Sequence, residues 1–318
     1  MFDVITFGEA MIRLSPPSFE RLENTTSFDL KIGGSEANVA VALACLKLKS
    51  SWYSKLTKNS LGRRIENEVK RWNVDTSHVI WTSDHRVGLY FLEIGSKPRP
   101  YKVIYDRKNS AISNITTSEL DWKYLEATKL FHTSGITVAL SDSCREVISS
   151  ILDSCKSKDI LTSFDINYRS KLWTIKESRA NLKSILSKID VIISSENDID
   201  LLFNYKGDFK EKSRKLLDEF NPKLVALTRG PDSPVLLDEN GKFFFGTGNQ
   251  PIVVDRIGAG DAFAAGLLYG YLQNDIEKGL QYAEAMAALK FSIPGDFAII
   301  NIDEIEDFIK TKKSTIER

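Results

Sequence analysis

Asp255-Arg256-Ile257-Gly258-Ala259-Gly260-Asp261, followed by Ala262-Phe263-Ala264-Ala265-Gly266-Leu267-Leu268, is the stretch on which the reading of this chain turns. The β-branched run Ile252-Val253-Val254 before it reads as the end of a strand, and the Ala- and Leu-rich run after it as a buried helix. A strand, two glycines and a helix start leave backbone N–H groups pointing outward, where the helix dipole favours negative charge. This makes an anion hole with Asp261 at its lip. A carboxylate there fits one task, taking a proton from a group that attacks the bound anion. An ordinary turn with an Asp cap is the plain alternative. A G-x-G-x-x-G dinucleotide fingerprint fails because Phe263 holds the third glycine position, and no Walker-type G-x-x-x-x-G-K-[ST] run occurs.

With 318 residues, 42% of them hydrophobic, the chain can build one large α/β body with an appendage. Lys plus Arg and Asp plus Glu both number 43, and the resulting zero net charge speaks against a nucleic-acid partner. The odd set of Cys45, Cys144 and Cys155 has no C-x-x-C spacing, and His78, His85 and His132 have no metal-ligand spacing. The start lacks the layout of a signal peptide and no apolar run approaches a membrane span, so a cytoplasmic protein without a membrane partner is expected.

Residues 2–7 alternate as a strand that exits at Gly8-Glu9. Residues 11–14 and 28–32, then 87–94 and 101–105 joined by the turn Gly95-Ser96-Lys97-Pro98, read as four strands of a small β lid. Helices at 36–46 and 61–72, one strand at 51–56, strands at 130–132, 161–164, 191–193 and 224–227, and helices near 141–156, 175–188 and 208–220 complete the pattern. This alternation predicts a doubly wound, mainly parallel sheet flanked by helices. A hairpin at 235–245 finishes the sheet, and three helices fill 262–310. The expected division is 1–9, 33–84 and 108–318 for the α/β body, and 10–32 with 85–107 for the lid.

Loops after parallel strands carry ligands. Thr228-Arg229-Gly230-Pro231-Asp232-Ser233 sets a hydroxyl, a cation and a glycine in a row. Glu196-Asn197-Asp198-Ile199-Asp200 follows another strand, and Asn197 also reads as a helix N-cap. Tyr105 and Arg107 share a face if their strand continues, and Arg169 follows a core strand. Two arginines at the mouth of a net-neutral protein suggest an anionic acceptor, since Arg reads carboxylate in bidentate fashion. The alternative for both is a plain surface arginine.

Taken together the motifs resemble those of the ribokinase-like (PfkB) sugar kinases. That family's second signature is Asp-Thr-x-Gly-Ala-Gly-Asp, from which this chain departs at Arg256. Its first is matched by Gly33-Gly34-Ser35-Glu36-Ala37-Asn38-Val39-Ala40 at the other end of the chain. Tyr105-Asp106-Arg107-x-x-Ser110-Ala111, Asp165-x-Asn167-Tyr168-Arg169-x-x-Leu172-Trp173, Gly8-Glu9-Ala10-Met11 and Ile293-Pro294-Gly295-Asp296 are similar to the 2-keto-3-deoxygluconate kinase branch. The resemblance implies ATP as co-substrate, Mg2+, Asp261 as base, and Gly258, Ala259 and Gly260 as the anion hole. It implies a sugar-acid site of Gly34, Ser35, Asn38, Tyr90, Tyr105, Arg107, Arg169, Asp261 and Asp296. On the ATP side it implies Asn167, Arg169, Thr228, Arg229, Gly230 and Ser233, with Ser233 where a glycine is usual. Arg169 is open to either substrate. Asn197 and Asp200 stand where the family carries Asn-x-x-Glu, implying a role toward magnesium, directly or through water. A homo-oligomer formed through the lid is implied as well. A neutral-sugar kinase and a non-catalytic sensing module are the competing readings.

Overall fold

The chain opens with β1 (Phe2–Phe7), β2 (Met11–Ser15), β3 (Asp29–Gly33) and α1 (Ser35–Cys45). Next come β4 (Ser50–Tyr53), β5 (Lys55–Thr57), α2 (Ser60–Lys70), β6 (Ile80–Thr82), β7 (Leu89–Glu93) and β8 (Lys102–Asp106). Strand and helix then alternate through α3 (Trp122–Leu125), β9 (Thr128–Ser134), α4 (Gly135–Leu140), α5 (Asp142–Ser157), β10 (Leu161–Asp165) and α6 (Ile175–Leu186). After these lie β11 (Val191–Ser195), α7 (Glu196–Phe203), α8 (Phe209–Phe220), β12 (Leu224–Arg229), β13 (Asp232–Asp238) and β14 (Phe243–Phe245). Three helices close the chain: α9 (Ala259–Leu272), α10 (Ile276–Lys290) and α11 (Ile302–Ile316). This computed structural model describes residues 1–95, 98–230, 232–248 and 251–316, with side chains to residue 311.

The main sheet has eight strands in the order β14-β13-β12-β11-β10-β9-β1-β4. From β4 to β12 all pairs are parallel, and the β13–β14 hairpin adds two antiparallel strands at one edge. Both faces are apolar because successive side chains point opposite ways. Val4, Leu130, Val191 and Leu224 pack in one core with α1, α9 and α10. Their neighbours Ile5, Phe131, Ile192 and Val225 pack in another, with α5, α6 and α8. The fold is therefore the doubly wound α/β architecture expected. A second sheet, β3-β2-β7-β8, comprises the four strands read as a lid. Ser96 and Lys97 of the turn expected there, and Pro231 of the loop after β12, lie outside the described residues.

Three local expectations are corrected. The single strand expected at 51–56 is two: β4 joins the main sheet, while β5 pairs with β6 after a break at Ser54, whose hydroxyl donates to the Gly8 carbonyl. The segment Ile252-Val253-Val254 is no strand; Ile252 is 90% exposed, and the amides of Val254 and Asp255 donate to the Phe291 carbonyl. A β-branched run without a neighbouring strand has no ladder to join. Helix α7 is capped by Ser195, whose hydroxyl accepts from the Asp198 amide, and not by Asn197.

Helices α9 and α10 pack backbone to backbone. A Cβ built on Gly270 would lie 2.2 Å from the Gly279 Cα. Ala in place of Gly normally favours a helix interior by about 0.5–1 kcal/mol. Here Gly270→Ala is expected to destabilise instead, by about 1–3 kcal/mol through overpacking. Urea unfolding at equilibrium checks the sign.

Candidate active site

The carboxyl ends of the parallel strands bring the polar loops to one rim. Glu9 follows β1, Ser134 ends β9, Asp165 ends β10, Ser195 ends β11, and Thr228 and Arg229 end β12. Asp261 is the third residue of α9, in the first turn, where amides lack acceptors within the helix. Gly258 caps that turn at φ 85, a left-handed conformation, and a Cβ there would strike the Asp296 carbonyl at 2.0 Å. Gly260 faces open space, with no atom within 4 Å of where its Cβ would stand. The start of α9 thus offers amide donors beside open space.

The two motifs at opposite ends of the sequence meet at Asp261. Ser35 Oγ donates to its Oδ1 at 2.6 Å and Asn38 Nδ2 to its Oδ2 at 2.6 Å, both from the first turn of α1. Asn167 Nδ2 reaches Ser35 Oγ at 3.2 Å, and the Gly34 amide donates to Asn38 Oδ1. A place in the first turn of a helix by itself favours the ionised form of Asp261. Its pKa is raised even so: burial pushes it up, against the two hydrogen bonds and the charge of Arg169. Only 8% of Asp261 is exposed, so desolvation outweighs the dipole.

Beside Asp261 lies a buried ion cluster that the sequence reading passed over. Arg13, on β2, reaches Asp255 at 2.7 Å with one nitrogen and Asp296 at 2.8 Å with another. The Tyr90 hydroxyl donates to the other oxygen of Asp296. Tyr105 neighbours Tyr90 with ring centroids 6.0 Å apart, and the Arg107 guanidinium lies 5.5 Å from the centre of the Tyr105 ring. Arg107 stands just past the end of β8 and is itself buried and paired: its Nε donates to Glu9 Oε2 at 2.7 Å. Arg169 is exposed, has no carboxylate in ion-pair contact among the described residues, and exerts its charge on Asp261, Asp165 and Asp198.

On the opposite side, Thr228 donates to the Ser194 carbonyl, and Gly230 (φ 62) opens on space. Arg229 is held by Glu196 at 3.2 Å and by the Phe209 ring, and it donates to the Ser233 carbonyl. Asn197 is exposed, and Asp200 binds Lys212 at 2.7 Å, so the structure does not bring these two to a common cation site. Asp165 lies within reach of the charges of both Asp261 and Asp198, while Asp296 and Glu36 also interact with the charge of Asp261. Burial raises Asp165 and Asp198, and Asp165 is raised further by the charges of Asp261 and Asp198. Asp198 follows Asn197 directly, which shows how small a register change separates the expected residues from the inward-facing one. Glu36, raised by burial to about 7, accepts from Ser134 and Thr137 beneath the same turn of α1. Among the described residues no group of three or more metal-capable side chains gathers.

A family model described as pfkB family carbohydrate kinase matches residues 1–317. A 2-dehydro-3-deoxygalactonokinase of Haloferax volcanii is 38% identical, with 99% of each chain covered. A 5-dehydro-2-deoxygluconokinase of Geobacillus kaustophilus is 32% identical over 98% of this chain and 95% of its own. Among solved structures, a 2-dehydro-3-deoxygluconokinase of Thermotoga maritima superimposes with a TM-score of 0.92 at 35% identity, covering 98% of this chain and 100% of that one.

Asp261 offers a stability test. Its folded pKa is raised, so its contribution to stability is fully present below the unfolded value and is lost as pH rises through the folded one. Asp261→Asn removes that cost, and Ser35 Oγ can accept from the new amide. The variant is expected to be at least as stable as the parent at pH 7, with the advantage shrinking toward acid. Urea unfolding at neutral and acidic pH measures both.

Proposed function

The chain belongs to the pfkB family of carbohydrate kinases, and from that premise we propose that it transfers the terminal phosphoryl group of ATP to 2-keto-3-deoxygluconate, giving the 6-phosphate. The galacto epimer is a second acceptor on this reading, since one relative is named for each epimer. The observation that carries the acid is Arg169, an exposed guanidinium with no carboxylate in ion-pair contact among the described residues, whose charge reaches Asp261. Arg107 supports it from the other wall, its charge shared with Glu9.

In this mechanism Asp261 takes the proton of the attacking hydroxyl while Ser35 and Asn38 hold its two oxygens. Burial raises its proton affinity, which strengthens it as a base. The free amides at the start of α9 stabilise charge on the transferring group. Gly34, Tyr90, Tyr105 and Asp296 line the acceptor. Asn167, Thr228, Gly230 and the Ser233 strand line the nucleotide, and Arg229 acts there through its fixed position beside Glu196. Asp165 and Asp198 fit magnesium better than Asn197 and Asp200 do, because Asp165 is buried and is repelled by both Asp198 and Asp261. When bound, the ion would neutralise phosphate charge, held by these two groups through its waters.

Among the described residues no helix is long and apolar enough to cross a membrane, and we assign the reaction to the cytoplasm. We also propose a homo-oligomer through the second sheet. Leu30, Leu14, Phe91 and Ile104 are aligned across its four strands, with Leu30 38% and Ile104 46% exposed. The edges β3 and β8 have no further strand among the described residues. Sedimentation is expected to report at least a dimer at micromolar concentration, and Leu30→Glu with Ile104→Glu a monomer.

Assaying ATP-dependent phosphorylation across keto-sugar acids and neutral hexoses tests the substrate; preference for a neutral hexose refutes it. Asp261→Asn is expected to lower kcat by about 10²–10⁴, with both substrates still binding. Arg169→Ala is expected to lose about 10- to 150-fold in kcat/KM on the acid and little on a neutral sugar. Arg107→Ala strands Glu9, so that site is read in the Glu9→Gln/Arg107→Ala pair. An equal loss on acid and neutral acceptors assigns an arginine to ATP.

A further inference from the structure

Lys290, the last residue of α10, is 0% exposed, and fully buried lysines are rare unless paired. Its ammonium makes no ion pair within 4.0 Å among the described residues. It donates to two backbone carbonyls instead, Ile293 at 2.9 Å and Asp255 at 3.4 Å. Burial lowers its pKa, while the nearby charges of Asp255, Asp296 and Asp261 work the other way.

The two carbonyls belong to the two loops that build the anion hole. Asp255 begins the loop that turns at Gly258, and its carboxyl accepts from the amides of Ile257 and Gly295. Ile293 begins the loop that carries Gly295 and Asp296, and the Asp296 carbonyl is what Gly258 packs against. With Arg13, Lys290 balances Asp255 and Asp296, two cations against two carboxylates in a space without water access. A hole made of backbone amides keeps its donors in place only as well as the loop beneath them is held.

We propose that Lys290 is a positioning residue for phosphoryl transfer, an internal cation that clamps the 255–258 and 293–296 loops so that the first amides of α9 stay aimed at the transferring group. It touches neither substrate. This rests on the kinase reading, and it predicts that the charge of Lys290 bears on turnover more than on binding.

The test is Lys290→Met, which keeps the stem and removes the charge. Expected is a cooperative melt, KM for ATP and for the sugar acid little changed, and kcat lower by about 10²-fold, the scale of a small misplacement of catalytic groups. A folded Lys290→Met with kcat within about threefold of the parent, or with the loss confined to KM, overturns the proposal. If Lys290→Met gives no cooperative melt, Lys290→Ala is assayed with propylammonium and with propan-1-ol. Recovery of turnover with the amine alone supports the clamp; recovery with both, or with neither, overturns it. A wild type that phosphorylates no sugar acid refutes the acceptor reading, and Lys290 is then judged by the same variants on ATP hydrolysis.

Discussion

One guanidinium joins three parts of this molecule. Arg13 rises from a strand of the second sheet and forks between Asp255, ahead of the anion hole, and Asp296, beneath it. Asp296 passes the contact on to Tyr90, and Asp255 to the amides of Ile257 and Gly295. The start of α9, the loop that carries Asp296 and the second sheet are therefore fixed relative to one another by a single buried cluster. Such clusters add little net stability compared with apolar packing, but losing one partner leaves an uncompensated charge and typically costs about 3–5 kcal/mol. Their effect is to permit one arrangement and penalise the rest.

Asp261 illustrates how two ordinary effects compete. Its place in the first turn of a helix favours the ionised form, and its near-complete burial opposes it. Burial prevails, tempered by Ser35 and Asn38, so the group is held in a state that is costly for folding and suited to accepting a proton. The same desolvation acts on Asp165 and Asp198, and the charge of Arg169 works against it at all three carboxylates.

The layering was legible because periodicity encodes it. Short continuous apolar strands between helical stretches, and small residues in α1 and α9, admit few other arrangements. Asp261 with its glycines was legible for the same local reason, as was the Ser35–Asn38 turn. Ile252-Val253-Val254 misled because β propensity describes packing against a neighbour, and no strand lies beside it. The single strand expected at 51–56 missed the break at Ser54, which depends on the carbonyl of Gly8. Arg13, Glu9 and Lys290 were passed over because each reads locally as a charge in or beside an apolar run. Their partners lie far along the chain, and only tertiary proximity reveals them. Asp198, whose charge reaches Asp165, was not singled out because helix phase does not show in a segment that short.

The placement of β1 has a consequence for how the protein is made. This strand lies inside the sheet, between β4 and β9, so it waits for residues 128–134 before both its edges are paired. Arg13 waits longer still, for a partner 283 positions downstream. Local helices can form during that interval, whereas long-range parallel pairing is slow and leaves strand edges exposed. Through that interval the Arg13 guanidinium stays in water, without the carboxylates that it joins in the folded chain. Assembly of the ion cluster, which needs residues 255 and 296 together with Arg13, is thus among the late steps by which the fold closes.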